Sequence, residues 1–184
     1  MSIDVGAVFQ QGYIVANLEE AAQEWIERVG AGPFYVMDHL AMENYYYRGK
    51  HTPIEMRMAF GYWGPMQIEL IQPLGSVTSL YSDALKTGAD KLNHCATFIN
   101  GSLDELLDTH DLRKCIIHEG HMPTGLKFAY LDSYLPDGSH LELIQATEEA
   151  RMGFQGMQAI HAQWDKQTRP IRPIADLGKD LGSR

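Results

Sequence analysis

The stretch Ile68-Glu69-Leu70-Ile71-Gln72 returns as Leu141-Glu142-Leu143-Ile144-Gln145, and that return decides how the chain is read. Self-similarity of this kind marks a duplicated unit. Ahead of each copy lies a strand followed by a capped helix. Val8 to Val15 reads as a strand, and Asn17-Leu18-Glu19-Glu20 as a capping box. Leu18, Ala21, Ala22, Trp25, Ile26 and Val29 then follow helical spacing until Gly30 stops the helix. In the second half Leu92 to Ile99 is strand-like, Ser102 with Glu105 makes the box, and Leu103, Leu106, Leu107 and His110 carry the stripe. In each box the cap side chain takes a free amide hydrogen of the first turn, and the glutamate reaches back to the cap.

Strand segments punctuated by Gly, Pro and Asn follow each helix. In the first half they are Phe34–His39, Tyr45–Arg48, Ile54–Tyr62 and Met66–Gln72; in the second, Lys114–His118, Leu126–Asp132 and Ser139–Gln145. Each half therefore reads strand, helix, then about three strands. One such unit leaves a sheet face bare, so the two must pack or pair. The expected division is module one over 5–73, a linker over 74–91 with a short helix near Ser79–Lys86, and module two over 92–147. Residues 148–184 form an appendage: a helix over Glu148–Trp164, then Arg169-Pro170-Ile171-Arg172-Pro173, extended because each Pro restricts its neighbour. Its expected role is covering a sheet edge or a partner subunit.

The chain has 184 residues with 15 Lys and Arg against 24 Asp and Glu, a formal net charge of −9. An acidic surface with no basic stripe argues against nucleic acid and against an anionic membrane surface. No apolar run approaches the roughly 20 residues of a membrane span. Met1-Ser2-Ile3-Asp4-Val5 has no signal-peptide character, and two cysteines, Cys95 and Cys115, make no disulfide framework. A soluble cytoplasmic protein is the expectation.

Four polar residues stand among apolar ones. Strand side chains alternate faces, so Gln67, Glu69 and Ile71 oppose Met66, Ile68 and Leu70, and His140, Glu142 and Ile144 oppose Leu141 and Leu143. A mid-strand carboxylate flanked by aliphatics lies on a solvated face or faces a cavity holding compensating positive charge. Its repetition at equivalent positions favours the cavity. The first strands add Gln10, sharing a face with Val8, Gly12 and Ile14, and His94, sharing one with Leu92, Ala96 and Phe98. In a slipped register Gln11 exchanges with Gln10.

On these residues the chain resembles the vicinal oxygen chelate superfamily, which includes glyoxalase I, methylmalonyl-CoA epimerase, extradiol dioxygenases and bleomycin-resistance proteins. The resemblance spans about Val5 to Thr147. It rests on Gln10-Gln11-Gly12-Tyr13-Ile14-Val15 with the Asn17 cap, Gln67 to Pro73, Leu92-Asn93-His94-Cys95-Ala96, and Gly138-Ser139-His140-Leu141-Glu142-Leu143. It implies an α+β fold: two tandem βαβββ modules forming a cupped mixed sheet around a divalent metal. Carried over residue by residue, the ligands are Gln10, Glu69, His94 and Glu142. That order is similar to the glyoxalase I pattern, while the text around Ile68 to Pro73 is closer to the epimerases.

Two carboxylates, an imidazole and an amide oxygen are a hard, oxygen-rich set that suits Zn, Ni, Co, Mn, Mg or Fe(II). Such an ion stabilises an enolate next to a carbonyl. The resemblance makes Glu142 and Glu69 the candidate bases, Glu142 foremost, in a lyase or isomerase of the glyoxalase or epimerase type. A dioxygenase iron site needs two histidines and a carboxylate, and only His94 matches. The competing reading is a noncatalytic small-molecule binder of the bleomycin-resistance type. An aromatic-rich first half points to a carbonyl or acyl substrate with apolar or aromatic character, lined by Phe34, Phe60, Trp63, Phe128 and Tyr130. No glutathione or CoA site stands out, and a homodimer is expected from the superfamily. His118-Glu119-Gly120-His121 reads as a solvated loop, and Met56, Met58 and Met66 as strand packing.

Overall fold

The computed structural model describes residues 3, 5–88 and 91–182. Met1, Ser2 and Asp4 of the N-terminal stretch, Ala89 and Asp90 of the linker, and the last two residues lie outside the described residues. The elements run β1 (Val8–Ile14), α1 (Leu18–Val29), β2 (Phe34–Met42), β3 (Tyr45–Tyr47), β4 (Lys50–His51), β5 (Ile54–Trp63) and β6 (Met66–Leu74). Then follow α2 (Leu80–Thr87), β7 (Leu92–Phe98), α3 (Leu103–Thr109), β8 (Ile116–His121), β9 (Lys127–Leu131) and β10 (His140–Gln145). The C-terminal extension supplies α4 (Glu148–Gln163), β11 (Ile171–Pro173) and α5 (Leu177–Gly182).

Among the described residues the strands join one mixed sheet in the order β11-β2-β5-β6-β1-β7-β10-β9-β8-β3-β4. The two βαβββ units meet where β1 runs antiparallel to β7. Within each unit the first and last strands pair in parallel at the same offset. Gln10 sits opposite Gln67 and Gly12 opposite Glu69, while His94 sits opposite His140 and Ala96 opposite Glu142. Gln10 is therefore the counterpart of His94, and Glu69 of Glu142.

One strand differs from expectation. The Tyr45–Tyr47 strand leaves its own unit: it pairs with β8 of the other half and carries the short β4 at the far edge. Long-range pairing of three residues leaves no periodic mark in the sequence. The strand expected over Lys114–His118 also shifts, because Arg113–Cys115 closes into a 3-10 turn and β8 begins at Ile116.

The alternation of apolar side chains sorts the core into layers. On the convex face Leu18 and Ala22 of α1 pack on Phe34, Ala59, Ile68 and Leu70, and Leu103 and Leu107 of α3 on Leu141 and Leu143. The concave face gathers Ile14, Met56, Ile71, Phe128, Tyr130 and Ile144. Both cap side chains do what the spacing asks: Asn17 Oδ1 accepts from the Glu20 amide and Ser102 Oγ from the Glu105 amide. The reciprocal half of each box does not form. Instead the closing glutamine of each repeat caps the helix start, the Leu18 amide donating to Gln72 Oε1 at 3.1 Å and the Leu103 amide to Gln145 Oε1 at 2.8 Å.

The extension covers an edge, as one of its expected roles requires. Strand β11 adds to β2 in parallel, and α4 lies on the concave side, with Met157 and Ile160 against Tyr35, Phe60 and Tyr62. Arg172 is buried and donates to Asp180 and to the Tyr35 hydroxyl, which tie α5 down. Burial, and then its hydrogen bond to Asp180, pushes Tyr35 up to about 12. Arg169, expected to be extended before Pro170, takes a left-handed φ of 47° instead. No helix of the described residues is long and apolar enough to cross a membrane.

Candidate metal centre

The four central strands β6, β1, β7 and β10 each turn one candidate ligand into the concave face: Glu69, Gln10, His94 and Glu142. All four are nearly closed to solvent, with His94 fully buried. The Nε2 of His94 lies 3.0 Å from Glu69 Oε2 and 3.4 Å from Glu142 Oε2. One ligand atom from each of these three residues falls within 4.8 Å of the others. Convergence follows from register: Gly12 lies between Glu69 on one side and His94 on the other. The site is thus shared by both halves.

Local chemistry tests whether a cation fits. The His94 Nδ1 is 3.2 Å from Asn93 Oδ1, so a proton held between them orients the ring with Nε2 toward the glutamates as the atom for a cation. Nε2 faces two carboxyl groups, an arrangement that a cation bound between them would satisfy. Burial, and then the charge of Glu69, raises the Glu142 carboxyl well above the usual carboxylate range. Gln10 supplies a separate observation. Its Nε2 donates to Gln67 Oε1 at 2.8 Å, while its Oε1 is buried without a hydrogen-bond partner. Gln67 in turn donates to the Tyr62 hydroxyl, which donates to the Phe154 carbonyl. This relay fixes the amide so that the unpaired atom is the oxygen, the better metal donor. The residues fit a hard divalent cation with one imidazole, two carboxylates and one amide oxygen.

Around the centre, Tyr130 places its hydroxyl 3.3 Å from His94 Nε2, with Glu142 and Tyr81 on the same cavity wall. Burial foremost pushes both phenols well up, so each stays a neutral donor. An added β-carbon at Gly12 would sit 1.8 Å from His94 Cε1. The imidazole rests on that bare backbone.

A cavity of about 100 Å³ opens onto Gln10, Glu69 and Glu142. Of the expected substrate-lining residues, Phe60, Phe128 and Tyr130 line it. Phe34 and Trp63 do not. Phe34 is buried on the convex side under α1, its ring against Gly61, and Trp63 is half exposed beside Trp25. The strand phase explains both: Phe60 and Tyr62 of β5 face the cup, which turns Gly61 and Trp63 away.

Other wall residues escaped the sequence. Met37, Met42, Met56, Met58 and Met122 line the cavity, although Met56 and Met58 read as ordinary packing. Their shared face with Phe60 was the available signal. Tyr81 of α2 and Phe154 of α4 come from outside the repeated units and left none. His118 is a correction: it is no solvated loop residue but a fully buried one on β8, ringed by Tyr45, Tyr81, Phe128 and Tyr130.

Solved structures with this fold include methylmalonyl-CoA epimerase from Mycobacterium tuberculosis. It has 15% identity and a TM-score of 0.57, over 83% of this chain and 95% of that one. A hypothetical protein from Bacillus halodurans C-125 has 17% identity and a TM-score of 0.55, over 77% and 95%. A methylmalonyl-CoA epimerase in complex with methylmalonyl-CoA and NH4+ has 15% identity and a TM-score of 0.53, over 79% and 97%. A search of curated proteins finds no match. The sequence profile described as Glyoxalase/Bleomycin resistance protein/Dioxygenase superfamily matches residues 9–130, the stretch that holds Gln10, Glu69, His94 and most of both units. The chain belongs to that superfamily.

Proposed function

We propose that the protein is a metal-dependent lyase or isomerase of the glyoxalase or epimerase type, moving a proton at the carbon next to a carbonyl. Gln10, Glu69, His94 and Glu142 are the residues that hold the cation. The observation that carries this reading is the unpaired Gln10 Oε1, buried in the cavity beside the Glu–His–Glu cluster. A divalent ion bound there supplies Lewis acidity for the negative charge that grows on a carbonyl oxygen as its neighbouring carbon loses a proton.

The chain's own residues do the rest. Glu142 accepts the proton, placed for that task on the wall of the cavity. The Tyr130 hydroxyl stands beside Glu142 and 3.3 Å from His94 Nε2, and the apolar wall excludes water. Glu69, the counterpart of Glu142 in the other unit, is the second acid–base group. Returning the proton to the opposite face of the same carbon epimerises; returning it to the next atom isomerises. The epimerase neighbours make thioesters of short acyl groups the first compounds to try.

Deuterium exchange at the carbon next to the carbonyl, followed by NMR over a panel of thioesters and 2-oxo compounds, tests this reading. Exchange with the metal-loaded protein and its loss by more than a hundredfold in Glu142→Gln is the expected result. Undiminished exchange in Glu142→Gln overturns the role of that residue. A noncatalytic binder also accommodates an apolar cavity, but gives Gln10 Oε1 and the paired carboxylates no task.

A further inference from the structure

The walls of the cavity and the helix that closes it carry information about what enters. We infer that the site takes an uncharged, apolar carbonyl or acyl compound, and that Phe154 of α4 sets the length of tail it admits. The head-group end of this inference rests on the proposed cation site; the tail end rests on the cavity alone.

Polarity is confined to the floor, where Gln10, Glu69, Glu142, Tyr81 and Tyr130 stand, and the rest of the wall is aliphatic, thioether or phenyl. Among the described residues no lysine or arginine lines it. The nearer guanidinium groups are committed elsewhere: Arg57 faces Glu19 and Asp38 on the convex side, and Arg151 lies over the Phe98 ring and donates to the Ile99 carbonyl. A carboxylate or phosphate on the tail would lose its water here, meet two glutamates and gain no partner. The five methionines bend to fit varied apolar shapes. Substrate selection therefore falls on length.

Phe154 is placed to set that length. Its ring stands 5.8 Å from Phe9, 5.8 Å from Phe98 and 6.1 Å from Phe60. Beyond it lies a second, more polar crevice of about 180 Å³ that includes Phe9, Phe98, Gln155 and the Arg151 guanidinium. Among the described residues Phe154 alone lines both spaces, so its side chain is the partition between them. The Phe154 carbonyl also accepts the Tyr62 hydroxyl, the end of the relay that orients Gln10. Helix α4 lies beyond the 9–130 stretch that matches the superfamily, so this partition belongs to the chain's own extension.

The test uses the full chain and its Phe154→Ala and Phe154→Leu variants, the second keeping an apolar anchor should the first fail to fold. Zinc binding is measured first by calorimetry, without any organic ligand. Zinc-loaded protein is then titrated with acetohydroxamate, butyrohydroxamate and octanohydroxamate, which offer adjacent oxygens on uncharged tails, and with the monohydroxamate of succinic acid. The wild type should gain about fourfold per methylene up to butyrohydroxamate and then lose affinity. Phe154→Ala should favour octanohydroxamate by tenfold or more, Phe154→Leu should lie between, and in the wild type the succinic compound should bind at least tenfold more weakly than butyrohydroxamate. A matched series of alkan-2-ones, read by thermal shift on metal-free protein, keeps the tail test independent of zinc. Zinc that fails to bind while the ketones still show the length limit, released in the variants, overturns the cation reading and leaves the cavity inference standing. Equal binding of the charged tail, or a length limit unmoved by both variants, overturns the inference itself.

Discussion

At Gly12 the chain has no side chain because His94 occupies the space where one would be. A β-carbon there would lie within 2.5 Å of three ring atoms, and the imidazole is walled in by Tyr130 and Glu69. Gly12→Ala should therefore displace the ring and weaken zinc binding at least tenfold while the far-ultraviolet circular dichroism stays near that of the wild type. Unchanged zinc affinity would refute the contact. His118 poses a different question. Neither of its ring nitrogens meets a hydrogen-bond partner among the described residues, and burial foremost holds its pKa well below the ordinary 6.5. Folded His118 stays neutral while the unfolded chain takes up a proton below about 6.5, so its contribution to stability is intact above that pH. As pH falls further, stability drops by about 1.4 kcal/mol per unit until the depressed pKa is reached. Denaturant unfolding at pH 7 and pH 5 should show this loss in the wild type and less of it in His118→Phe. Sequence singled out the four polar residues because each breaks an apolar alternation, and the family resemblance suggested their role. Sequence concealed His118, since Glu119 and Gly120 look like loop punctuation. Gly120 is in fact required by the Asn44 carbonyl and the Phe128 ring, each 2.7 Å from where a β-carbon would sit.

At the scale of elements, the duplicated strands also hold the helices. Gln72 and Gln145 end the two repeats and cap the first turns of α1 and α3, which is a packing reason for the final letter of the repeated pentapeptide. Gln145→Ala removes the acceptor for the Leu103 amide. It should cost about 1 kcal/mol in chemical unfolding, with cation binding unaffected; a change below a few tenths would deny the cap any weight. Helices and most strands were legible because caps and period-two alternation are local signals. The strand at Tyr45–Tyr47 was legible but its pairing was not, since its partner β8 lies about seventy residues away and pairing at that distance has no periodic signature. The same holds for Phe154: a phenylalanine at helical spacing looks like core until the turn of α4 over the cup is known. Phe34 and Trp63 failed for the opposite reason. Their aromatic character was visible, but residue type alone does not say which side of the sheet they face.

For the whole molecule, two units with matching registers bring Glu69, His94 and Glu142 within reach of one another and place Gln10 on the adjacent strand. The duplication, the cupped sheet and the polar quartet were readable in the sequence; the roof supplied by the C-terminal extension was not. A cation that binds only the folded chain must stabilise it. At a hundredfold excess over its dissociation constant the gain is about 2.7 kcal/mol, visible as a rise in melting temperature that ethylenediaminetetraacetate reverses. The shared site ties both units to this gain, so the two should melt together. The most direct measurement is zinc stoichiometry and affinity for the wild type beside Gln10→Ala, Glu69→Gln, His94→Ala and Glu142→Gln, each first checked for folding. One ion per chain, with affinity reduced at least tenfold by every substitution, is the predicted result. Binding that is absent from the folded wild type, or that survives all four substitutions unchanged, would contradict the account.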